Sequence, residues 1–172
     1  MRLSFLIILA FCVIALSSGC RKNKDAPAPD NAVIDFRLDT LGHQRFYLNQ
    51  YRGKVVVLAF WSTWCTVCKT EMVELKPLAA AENKNLIIAA VCNDPENIDD
   101  VKKIVQALDI NYPVLLDKKA EVFKKLKMSA VPTTIVIDQS GKIALTRQGY
   151  DANTRMQIKA SVENFLAEGK KR

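Results

Sequence analysis

Cys65 and Cys68 stand two residues apart in the stretch FWSTWCTVCKTEM, where an apolar run gives way to a helical pattern. Three readings are open for such a pair: a redox couple, half of a metal site, or chance, which would leave a static disulfide or ordinary buried thiols. If Trp61 closes a strand and a helix starts just beyond it, Cys65 falls at the first helical turn. Unpaired N–H groups and the helix dipole favour negative charge there. That stabilises a thiolate, the attacking form in disulfide exchange, so Cys65 reads as the nucleophile. Cys68, one turn on and pointing inward, can close on it and release a thiol. Zinc wants four ligands, whereas the chain offers a single histidine, His43, and one further thiol in the domain, Cys92. Cu(I) needs fewer soft ligands and stays open, although Met72 and Met128 form no methionine cluster. No resident metal and no cofactor is expected.

The chain has 172 residues, 49% of them hydrophobic, which suits one ordinary domain with tails. Its first residues, MRLSFLIILAFCVIALSSGC, place an early arginine before an apolar run from Phe5 to Leu16, then small residues ending in Gly19-Cys20. That is the order of an export signal, and the run falls short of the roughly 20 apolar residues a membrane span needs. Its end resembles the bacterial lipobox, with Leu16 one place further from the cysteine than the commonest pattern; the resemblance implies lipidation of Cys20. Residues 1–19 therefore read as a lipoprotein-type signal peptide, 20–32 as the lipidated cysteine and a flexible tether, 33–168 as the domain and 169–172 as a basic tail. Exported chains meet oxidising conditions. Cys12 would leave with the signal, and the three cysteines left in the domain, Cys65, Cys68 and Cys92, are an odd set that cannot all pair within it. The formal charge of +7 gathers at the ends, in Arg21, Lys22, Lys24, Lys170, Lys171 and Arg172, so a nucleic-acid partner is not expected.

The elements that must position the pair are predicted from periodicity. Val33 to Leu38 and Phe46 to Leu48, around a Leu41-Gly42 turn, predict an opening hairpin. Lys54-VVVLAF-Trp61 and Leu86-IIAAV-Cys92 are continuous apolar runs, the mark of strands buried on both faces. A helix is expected from about Cys65 to Glu82, kinked at Pro77, and an amphipathic one from Ile98 to Leu108. A short strand at Val114 to Leu116, a short helix at Ala120 to Leu126, and a strand entered through Val131-Pro132-Thr133-Thr134 come next. A Ser140-Gly141-Lys142 turn then leads into Ile143 to Gly149, and a closing helix presents Ile158, Val162, Phe165 and Leu166. This order predicts an α/β sandwich with a mixed central sheet flanked by helices.

FWSTWCTVCKTEM, the Asn111-Tyr112-Pro113-Val114 approach to a strand, and Val131-Pro132-Thr133-Thr134 resemble the thioredoxin superfamily. With the tether, the hairpin and a central insert around Asn93 to Ala107, the chain is similar to TlpA/ResA-type membrane-associated thiol-disulfide oxidoreductases. The resemblance covers about Val33 to Leu166 and implies a thioredoxin-like fold. Cys65 would be the exposed nucleophile and Cys68 the resolving thiol. Pro132 would be a cis-proline beside them, and Val131 would offer its backbone to an extended substrate peptide. It also implies a glutamate near the cysteines, which counting from Tyr112-Pro113 puts at Glu96. A partly buried carboxyl there would shuttle a proton for Cys68; a solvated helix-start acid is the alternative. Trp61 and Trp64 would form apolar walls. Thr66-Val67 lacks the family's frequent proline before the second cysteine, and Val73 stands where relatives often have another.

The resemblance implies a protein-disulfide reductase, exported and held to a membrane of the cell envelope by its lipid. Its partners would be disulfide-containing exported proteins, with apocytochrome c as one candidate client, and a membrane electron donor of DsbD/CcdA type. A disulfide oxidase or isomerase, a thiol peroxidase, or a Cu(I)-binding module using the same thiols are the alternatives. Cys92 reads as a buried strand residue.

Overall fold

The computed structural model describes residues 32–81 and 84–169. The signal segment, Cys20, all of the tether but Ala32, and Lys170 to Arg172 lie outside the described residues. Among those described, no helix is long and apolar enough to cross a membrane.

Among the described residues, seven strands and four α-helices occur in the order β1 (Arg37–Thr40), β2 (Arg45–Tyr47), β3 (Val55–Trp61), α1 (Thr66–Ala80), β4 (Leu86–Cys92), α2 (Ile98–Ala107), β5 (Val114–Leu116), α3 (Glu121–Lys125), β6 (Thr133–Ile137), β7 (Ile143–Gln148) and α4 (Ala152–Gly169). They form a mixed sheet of order β2-β1-β5-β4-β3-β6-β7. β3, β4 and β5 run parallel, while β6 lies antiparallel to β3. β3 is central and buried at every residue, as its unbroken apolar run requires.

Alternation along β3 divides the core into two layers. Val55, Val57, Ala59 and Trp61 pack with Met72 and Leu75 of α1, Val101 of α2, and Ile158 and Val162 of α4. Val56, Leu58 and Phe60 pack with Val122 of α3, Leu126, and Phe46 and Leu48 from the opening hairpin and its exit. The sandwich is thus closed on both faces. The expected α1 begins one residue later than its first cysteine, because Cys65 serves as its N-cap. The turn before β7 needs its glycine: Gly141 has φ 85°, and a Cβ there would collide with the Arg52 guanidinium. The short helix after β5 is split. A 3₁₀ turn at Lys118–Ala120 precedes α3, and the buried Asp117 carboxylate accepts the N–H groups of Val122 (3.0 Å) and Phe123 (2.9 Å).

Candidate active site: a cysteine pair backed by a buried carboxyl

β3 delivers the chain to the site and α1 carries it away. Cys65 caps α1, and its Sγ accepts the N–H of Cys68 at 3.2 Å. That bond and the helix N-terminus both favour negative charge on Cys65 once the pair is reduced. Here the pair is oxidised: Cys65 and Cys68 are joined as a disulfide, with Cα atoms 5.3 Å apart. Cys65 keeps 6% exposure and Cys68 none. Only the first sulfur therefore meets a partner arriving from solvent.

The two tryptophans part company. Trp61 is fully buried in the cluster that holds both cysteines, whereas Trp64 is 72% exposed beside Cys65. Val67, between the cysteines, is also exposed. The Val131-Pro132 peptide is cis. Pairing of Thr133 with Phe60 sets this loop at the end of β3 that leads into the cysteines, and Val131 packs against their cluster. Cys65, Cys68, Trp64, Val131 and Pro132, expected from the sequence to share one neighbourhood, are brought by the fold to one end of the sheet.

Glu96 is different. Pro95 turns inward and Glu96 outward, so the carboxyl expected to be partly buried is exposed in the turn before α2. The buried carboxyl of the site is Glu71, three residues after Cys68 on the same inner face of α1 and 1% exposed. Burial pushes its pKa up to about 7, opposed by a hydrogen bond that the Thr134 hydroxyl donates to it. Sequence reasoning does not single it out. The signal that could have done so is a glutamate on the stripe Cys68, Met72, Leu75, where an apolar residue belongs.

A second group of contacts fixes the loop ahead of the nucleophile. Asp94, just beyond β4, accepts the Thr63 N–H at 2.9 Å and the Thr63 hydroxyl at 2.8 Å. The Ser62 hydroxyl donates to Asn93, whose own N–H donates to the Trp61 carbonyl at 3.0 Å. Cys92 is fully buried opposite Trp61 and donates its thiol to Asp94 at 3.3 Å. Burial, first of all, drives its pKa far up, so it stays protonated. Among the described residues, no three or more His, Cys, Asp or Glu side chains gather as a metal site.

A Cys-x-x-Cys disulfide at a helix start, its first sulfur the more exposed, and a cis-proline loop on a mixed sheet define the thioredoxin-like thiol-disulfide oxidoreductases. The chain belongs to the AhpC/TSA family, whose model matches residues 29–146. It is 32% identical to the thiol-disulfide oxidoreductase ResA of Oceanobacillus iheyensis over 84% of this chain and 77% of that one. It is 29% identical to ResA of Geobacillus thermodenitrificans over 93% of this chain and 91% of its relative. Among solved structures it is similar to the exposed lipoprotein thioredoxin of Streptococcus pneumoniae, with TM-score 0.62 and 25% identity over 76% of this chain and 99% of that one. It is thus a thiol-disulfide oxidoreductase working through Cys65 and Cys68.

Proposed function

We propose that the protein works as a reductase of disulfides in exported proteins, tethered to a membrane through Cys20. The observation that supports the chemistry is Glu71, a buried carboxyl one helical turn after Cys68 whose pKa burial pushes up to about 7, so that it can exchange a proton with the second cysteine. In the reduced protein the Cys65 thiolate attacks one sulfur of a client disulfide. A Cys65–client disulfide forms and the other client sulfur leaves as a thiolate, which takes up a proton. Cys68 then gives its proton to the Glu71 carboxylate and attacks the Cys65 sulfur. The Cys65–Cys68 disulfide closes, the second client thiolate departs and is protonated, and two electrons have passed to the client. Trp64 and the Val131 backbone hold the client segment beside Cys65. A membrane donor of DsbD/CcdA type returns two electrons to the oxidised pair.

Export and tethering are supported by the sequence of the first 20 residues and by the lipoprotein character of the pneumococcal relative. Apocytochrome c, which must carry reduced thiols before haem attachment, is one client of suitable chemistry. The test is reduction of insulin disulfides by the full chain with dithiothreitol as donor. Cys65→Ser should abolish it, and Cys68→Ser should accumulate a client joined through Cys65. Turnover that survives Cys65→Ser would remove this reading.

A further inference from the structure

Adjacent threonines at the start of β6 do different work. The Thr133 hydroxyl donates to the Ala130 carbonyl at 2.7 Å and ties the cis-proline loop to itself. Thr134, 1% exposed and paired across the sheet with Ala59 of β3, instead directs its hydroxyl across to α1 and onto Glu71. A buried strand hydroxyl needs a partner, and this one has taken the Glu71 carboxyl, one helical turn after Cys68 on the buried face of α1.

The chemistry of a hydroxyl suits that position. It donates to a carboxylate and can turn to accept from a carboxylic acid, so the contact survives both protonation states. A lysine or arginine would hold the group ionised, and an apolar neighbour would leave burial to hold it neutral. Other groups near Glu71 are uncharged phenols. Tyr112, from the approach to β5, donates to the Met72 carbonyl at 2.8 Å, and Tyr150, after β7, donates to Glu74 at 2.6 Å. Arg155 of α4 is engaged with the same Glu74 oxygen at 3.0 Å. Thr134 is therefore the interaction that counters the burial of Glu71.

We propose that Thr134 is a positioning residue of the proton relay: its hydroxyl aims the Glu71 carboxyl at Cys68 and sets the pH at which Cys68 yields its proton. This rests on Glu71 as the proton acceptor of Cys68. Because Thr134 lies two residues beyond Pro132, the strand that receives the client also tunes the resolving step.

The test compares Thr134→Val with Thr134→Ser in the full chain. Two quantities are read: the titration of Glu71 by carboxyl carbon NMR, assigned by its absence in Glu71→Gln, and the pH profile of Cys68 attack on a mixed disulfide at Cys65. Thr134→Val should move both midpoints upward by about one pH unit, the worth of a hydrogen bond to a charged group. Thr134→Ser should return both to the wild-type position. Thr134→Ala, which removes the hydroxyl without adding a methyl group, serves if valine does not fold. A Glu71 midpoint unmoved by loss of the hydroxyl overturns the role of Thr134. A midpoint that moves while the rate profile stays fixed overturns the relay through Glu71 itself, and the proposal with it.

Discussion

The carboxylate of Asp94 grips Thr63 by both its backbone N–H and its hydroxyl, so the residue two places before the nucleophile hangs from the loop after β4. Cys65 then needs no further freedom to reach its cap position, since its own N–H donates to the Ser62 carbonyl at 3.0 Å. Asp94→Ala should leave a partly buried N–H and hydroxyl unpaired and cost about 1–3 kcal/mol in urea unfolding. Asp94→Asn, which still accepts from Thr63, should cost less. Equal stability of wild type and Asp94→Ala would contradict the clamp.

Glu71 gives stability a pH dependence of definite sign. Its pKa is about 7 in the folded protein against 4.5 for the free group, so the folded state holds the proton more tightly. Its contribution is full below pH 4.5 and is lost as pH rises through about 7. The difference corresponds to roughly 3 kcal/mol. Denaturant titrations across this window should show stability falling with pH, and Glu71→Gln should remove most of the fall. A flat wild-type curve would contradict the buried site.

Trp64, next in sequence to the nucleophile, is 72% exposed and so buries little of its ring in the core. Trp64→Ala should change unfolding free energy by no more than about 0.5 kcal/mol, as surface changes do. It should raise KM for a disulfide peptide several-fold with little effect on kcat. A lost fold, or an unchanged KM, would contradict its role as a client wall.

Cys92 is inaccessible and held protonated, two conditions that make a thiol inert. Peptide mapping after iodoacetamide treatment should find Cys92 unmodified in the native protein and modified after unfolding. Cys92→Ser, which keeps a donor for Asp94, should retain insulin reduction.

The framework was legible because its signals were local and strong. An apolar run as long as Val55 to Trp61 has nowhere to lie but the middle of a covered sheet, and the cysteine spacing fixes one helical turn. Glu71 was not legible in the same way. A glutamate in a helix ordinarily reads as solvated, and the hydroxyl it meets once buried, that of Thr134, is 63 positions away in sequence. Counting from Tyr112-Pro113 pointed to Glu96, but the buried Pro95 faces that residue outward. Asp117 is not legible for a similar reason: it accepts from the first turn of a helix whose entry passes through left-handed Lys119 and Ala120, conformations that neither residue type announces.

The direction of electron flow is tested most directly by the equilibrium reduction potential of the Cys65–Cys68 pair in a dithiothreitol or glutathione buffer. A reductase should give a value below about −220 mV, in the range of dedicated reductants. A value near −120 mV, that of a strong oxidant, would contradict this direction and make the protein a donor of disulfides.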